Sequence, residues 1–107
     1  MTVPTAHLFV LAALLFALGI LGFLVRRNVI IVLASIELML NAANLTFLAA
    51  SRQWSHATGR LDLDGPIFAL FVILVAACEA AVGLALVIAL YRIKKTVALD
   101  AASDLKG

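Results

Sequence analysis

The sequence predicts an all-α integral membrane protein built from three transmembrane helices. Of its 107 residues 65% are hydrophobic, the mean hydropathy is +1.19, and the charged residues are gathered into the gaps between three long apolar runs. Such a composition excludes an ordinary soluble domain. Three helices enclose little interior, so polar groups carried inside them need shielding by other chains, and a subunit of a larger membrane assembly is the first expectation. The net charge of +2 does not point to nucleic acid, because Arg26, Arg27, Arg92, Lys94 and Lys95 stand at helix ends, where membrane topology accounts for them. The one cysteine, Cys78, cannot form an internal disulfide. The Cys and His spacing matches no zinc, haem or iron–sulfur motif, and there is no glycine-rich phosphate loop or nucleophile elbow.

The first helix is expected over 4–25, around the apolar run from Leu8 to Val25. A secretory signal would carry its positive charge ahead of the apolar run. Here Arg26 and Arg27 follow it, which makes the run a membrane span with the N-terminus outside. Gly19 and Gly22, with Ala12 and Ala13, offer places for close backbone approach to another helix. Only Arg26, Arg27 and Asn28 separate this helix from the next, so the two are antiparallel neighbours.

The second helix is expected over 29–50, a run ~33 Å long at 1.5 Å per residue and therefore one span. The polar stretch 51–65, with its Gly and Ser content, reads as a loop, and Trp54 in it suits an interfacial anchor. The third helix is expected over 66–90, with Pro66 in a first turn that needs no donor from it and Asp64 near the positive end of the helix dipole. Arg26, Arg27, Arg92, Lys94 and Lys95 lie on one side of the membrane and Arg52 and Arg60 on the other, so the positive-inside rule places the C-terminus in the cytoplasm. The tail 91–107 carries too little apolar surface to fold alone and reads as a flexible or partner-bound strap.

Two residues break the apolar pattern. Glu37 lies well inside the second run and Glu79 well inside the third. An Asp, Lys or Arg at the centre of a membrane helix costs about 2.5–3.5 kcal/mol even on the lenient insertion scale, so an intramembrane carboxyl is a functional candidate by default. Glu37, Asn41 and Asn44 follow one another at i, i+4 and i+7 and share one helix face. The asparagines serve equally as the lining of a water chain or as interhelical hydrogen-bond glue, worth ~0.6 kcal/mol each. Glu79 has Ala76 and Gly83 on its own face, small neighbours that leave room for water or another helix. Counted from the cytoplasmic ends, Glu37 lies ~12 Å deep and Glu79 ~17 Å, close enough for one or two waters to join them if both face inward. A carboxyl group taken out of water favours its neutral form, and two such groups joined by water make a proton relay. The bland alternative is a permanently protonated hydrogen-bond donor. Cys78, one step from Glu79, reads as a small packing residue.

The segments from Arg26 to Leu45, RRNVIIVLASIELMLNAANL, and from Ala76 to Leu86, AACEAAVGLAL, resemble the K subunits of proton-pumping NADH:quinone oxidoreductase, respiratory complex I. The resemblance covers nearly the whole chain. It implies a multi-pass subunit of the bacterial inner membrane, placed in the membrane arm beside antiporter-like subunits. No cofactor is then expected in this chain, with FMN, iron–sulfur clusters and quinone belonging to other subunits. It also implies that Glu37 and Glu79 belong to a line of buried ionisable groups used in proton translocation or coupling. Arg26 and Arg27 would lie in a cytoplasmic loop concerned with coupling. The competing readings are a subunit of a multisubunit cation/proton antiporter, whose members generally lack these two acids, and a purely structural assembly subunit. A rotor subunit of an ATP synthase would be a two-helix hairpin with one essential carboxyl, which three spans argue against.

Overall fold

The computed structural model describes residues 3–95 and residue 99. Among them are three helices, α1 (Thr5–Val25), α2 (Val29–Thr58) and α3 (Asp64–Lys94), each long and apolar enough to cross a membrane. They pack antiparallel into a rod of 59 × 24 × 24 Å. The middle helix touches both others, and its contact with α1 is the more extensive.

The turn between α1 and α2 is closed by local chemistry. Arg26 adopts an extended backbone while its N–H still donates to Gly22, and the Asn28 side chain accepts from Ile30 N–H at 2.9 Å as the N-cap of α2. A side chain that satisfies an otherwise unpaired amide lets a helix restart at once. The expected antiparallel pair follows, and glycine sets its closeness. A Cβ on Gly19 would stand 2.9 Å from the Ser35 carbonyl oxygen, and one on Gly22 would collide with Ser35 Oγ. Ala12 is buried with Gly19, whereas Ala13 is exposed. Only part of the small-residue set therefore serves the seam.

The stretch 51–65 departs from expectation, because α2 continues through it to Thr58. Its residues up to Thr58 include neither Gly nor Pro, and isolated Ser and His do not stop a helix whose other residues propagate it. The stop comes at Gly59, whose φ of 71° forms a left-handed cap with its N–H on Ser55 O. At thirty residues α2 is ~45 Å long, so its last turns extend past a ~30 Å hydrocarbon core. Polar residues there need no other explanation. Likewise α3 starts two residues ahead of the expected boundary and ends four beyond it, at Lys94. Lys95 then turns left-handed with its N–H on Tyr91 O and its Nζ 5.7 Å from the Tyr91 ring centre.

The short corner between α2 and α3 is fastened by Asp62. Ser51 Oγ, itself buried, donates to Asp62 O at 2.9 Å and to its carboxylate at 3.1 Å. Ser55 Oγ accepts from Asp62 N–H at 2.9 Å, and Asp62 Oδ1 accepts from Asp64 N–H at 3.1 Å. Below this clasp Phe47 and Phe68 meet with ring centres 4.5 Å apart and ring planes tilted by 55°. Of the C-terminal segment, Tyr91 to Lys94 are helical, and Leu99 N–H donates to Arg27 O at 2.9 Å, bringing it against the α1–α2 turn. The rest of the expected strap lies outside the described residues.

Candidate functional site

The register of α2 against α3 is fixed by glycines. A Cβ on Gly83 would lie 2.9 Å from both methyls of Leu33, and one on Gly65 would collide with Ser51, so each glycine marks a level where the two helices meet. Antiparallel helices advance equally in opposite directions. One turn on from Leu33 is Glu37, and one turn back from Gly83 is Glu79, so the two carboxyl residues stand at the same level. Depths counted from the expected helix ends put them about one turn apart; the Leu33–Gly83 contact removes that offset, because α3 runs on to Lys94, past the level where α2 begins.

Glu79 occupies the seam position between Ala76 and Gly83 on the stripe that α3 turns toward α2. That stripe continues through the buried Ala69, Gly83, Val87 and Leu90. Together with Leu33, Ile36, Cys78 and Gly83, the two glutamates line one groove of about 510 Å³. Within this chain Glu37 is half-buried and Glu79 exposed. Their removal from water is thus not accomplished by these three helices, as the shortage of interior in so small a bundle demands. Of the two occupants expected in the room beside Gly83, water or another helix, it is the helix that fills it, through Leu33 of α2. Cys78, expected as a packing residue, is exposed on the groove wall.

The asparagines part company. Asn41 is exposed, while Asn44 retains only 7% of its exposure. A common helix face spans tens of degrees, and here its edge falls between the two. The Asn44 Oδ1 acceptor is buried without a hydrogen-bond partner among the described residues. Leaving such a group unpaired costs about 1–3 kcal/mol, so a donor reaching it from water or from a neighbouring subunit is strongly favoured. Arg26 and Arg27 are exposed at the α1–α2 turn. The antiparallel packing gathers them with Arg92, Lys94 and Lys95 at one end of the rod, while the other end balances Arg52 and Arg60 against Asp62 and Asp64.

Sequence reasoning passed over Leu33, which fills the space at Gly83 and so sets the level of both carboxyls. Nothing in a run of apolar residues distinguishes it. Among the described residues no group of three or more His, Cys, Asp and Glu side chains is arranged to hold a metal ion.

Comparison with known proteins agrees over nearly the full length. Residues 7–107 match the family described as NADH-ubiquinone/plastoquinone oxidoreductase chain 4L. NADH-quinone oxidoreductase subunit K of Sorangium cellulosum is 52% identical over 106 residues, which cover 99% of this chain and 98% of that one. Subunit K of Bacillus anthracis is 51% identical with the same coverage. That of an Anaeromyxobacter species is 57% identical over 98 residues, 92% of either chain. Matched from its seventh residue to its last, the chain belongs to the chain 4L family, the K subunits of NADH-quinone oxidoreductase.

Proposed function

We propose that Glu37 and Glu79 form a proton-exchanging pair in the membrane arm of the oxidoreductase, in work driven by electron transfer from NADH to quinone. The observation that carries this reading is that both carboxyl residues stand at one level and line one groove between α2 and α3. Neighbouring helix axes lie ~8–10 Å apart, a span that one or two waters bridge between carboxyl groups. A proton released by one carboxyl then passes through water to the other, and neither side chain needs to move far. Neighbouring antiporter-like subunits would close the groove, supplying the desolvation that this chain lacks. Asn44, with its unsatisfied acceptor, and Asn41 would extend the polar lining toward the α2–α3 corner.

Arg26 and Arg27 would act in coupling from the cytoplasmic side. That orientation, with the N-terminus outside, rests on the gathering of five basic residues at one end. The subunit would reside in the bacterial inner membrane, with FMN, iron–sulfur clusters and quinone held by other subunits. The test is Glu37→Gln in membranes, with rates normalised to assembled complex. Quinone-linked NADH oxidation and proton pumping should fall together, while NADH oxidation by an artificial acceptor at the peripheral arm stays intact. Full pumping in Glu37→Gln would leave the two acids a purely structural role.

A further inference from the structure

We infer that the groove between α1 and α2 at the cationic end binds an anionic phospholipid, with one acyl chain in the groove and its phosphate on Arg26. The groove, about 420 Å³, is lined on α1 by Leu18, Leu21, Gly22, Val25 and Arg26, and on α2 by Ile31, Ala34, Ser35 and Leu38. It lies apart from the groove that holds Glu37 and Glu79, whose walls are α2 and α3. The lining is hydrocarbon except at its mouth. Ser35, the one hydroxyl in it, already donates to Ile31 O at 2.8 Å, so the groove offers an occupant no side-chain donor below Arg26. Apolar walls without polar partners suit an acyl chain.

The dimensions agree. From Leu18 to Val25 the groove follows α1 for two turns, ~10 Å, which is about two thirds of one ~15 Å leaflet of a ~30 Å hydrocarbon core. At its middle Gly22 has no side chain, and Ser35 fills the place one would take. Arg26 stands where the lipid headgroup would be. It is exposed and makes no ion pair among the described residues. A guanidinium presents planar paired donors that match phosphate oxygens. The same end of the rod also carries Arg92 and Lys95, two further cations whose field favours an anion. Chain shape and charge thus select one occupant, a phospholipid with a net negative headgroup.

The experiment places a photoactivatable benzoylphenylalanine at Leu21, exposed on the groove wall, in the complex within native membranes. After irradiation the mass of this subunit is measured. Addition of an intact phospholipid mass, enriched in anionic species over the bulk membrane, is expected. Arg26→Gln should reduce that enrichment about fivefold, the factor one basic residue contributes beside an anionic headgroup, and Arg92→Gln, which alters only the surrounding field, by less. Crosslinking to another subunit, or no adduct at all, would overturn the lipid site. Lipid adducts with the headgroup distribution of the bulk membrane would overturn the role of Arg26.

Discussion

At the scale of single residues, the two glutamates are not equivalent. Glu37 is half-buried on the helix that also carries the buried, unsatisfied Asn44, whereas Glu79 is exposed at the groove and flanked by Ala76 and Gly83. Glu37 should therefore be the less replaceable. Glu37→Gln is expected to lower pumping and quinone-linked NADH oxidation by about tenfold or more, as befits loss of a proton-transferring side chain, and Glu79→Gln to give a smaller loss. A larger defect in Glu79→Gln would reverse the ranking. A relay needs a titratable group within water-bridged reach and not at one fixed atom. Leu33 lines the same groove one turn away, so combining Glu37→Gln with Leu33→Glu should recover part of the activity. No recovery would show that the position of the acid is fixed more tightly than a water chain requires.

At the scale of helices, Gly19, Gly22, Gly65 and Gly83 stand at the contacts, and three of them show how much depends on what opposes each. A Cβ on Gly19 would stand 2.9 Å from the Ser35 carbonyl oxygen and one on Gly65 2.8 Å from that of Phe47, both backbone atoms, whereas one on Gly83 would meet only the Leu33 side chain, which can turn aside. Overpacking against backbone costs about 1–3 kcal/mol. Gly19→Ala and Gly65→Ala should thus lower the amount of subunit in the assembled complex and the midpoint of its thermal dissociation. Gly83→Ala should change both little, and equal losses in all three would mean that helix spacing is held by something other than these contacts.

At the scale of the whole molecule, five cations at one end predict a cytoplasmic turn between α1 and α2 and an external corner between α2 and α3. The corner is short, because α2 persists to Thr58, and Arg60 is its exposed residue of choice. A cysteine at Arg60 should react with an impermeant thiol reagent added from outside intact cells, above the background set by native Cys78. Labelling only after the membrane is opened would invert the topology. Arg92, Lys94 and Lys95 still favour the same orientation when Arg26 and Arg27 are neutralised together. That double variant should insert and assemble yet lose coupled activity. Disappearance of the subunit from the membrane would make the arginine pair topological alone.

The sequence by itself determined that this chain spans the membrane three times, that α1 and α2 are antiparallel neighbours, and which residues within the spans demand explanation. These are matters of composition, run length and the cost of a charge in hydrocarbon, all of which are additive along a chain. Its reading of 51–65 as a loop failed where local polarity stood in for a helix stop that Gly59 alone provides. Only the tertiary structure decided that Glu37 and Glu79 share a level, that Leu33 and not water occupies the space at Gly83, and that Asn44 is buried while Asn41 is exposed. Those facts depend on the rotation and register of one helix against another. They are set by contacts between residues far apart in the chain, such as Ser51 with Asp62 and Leu33 with Gly83, and a helical period repeats too regularly to encode which of its turns will meet a partner.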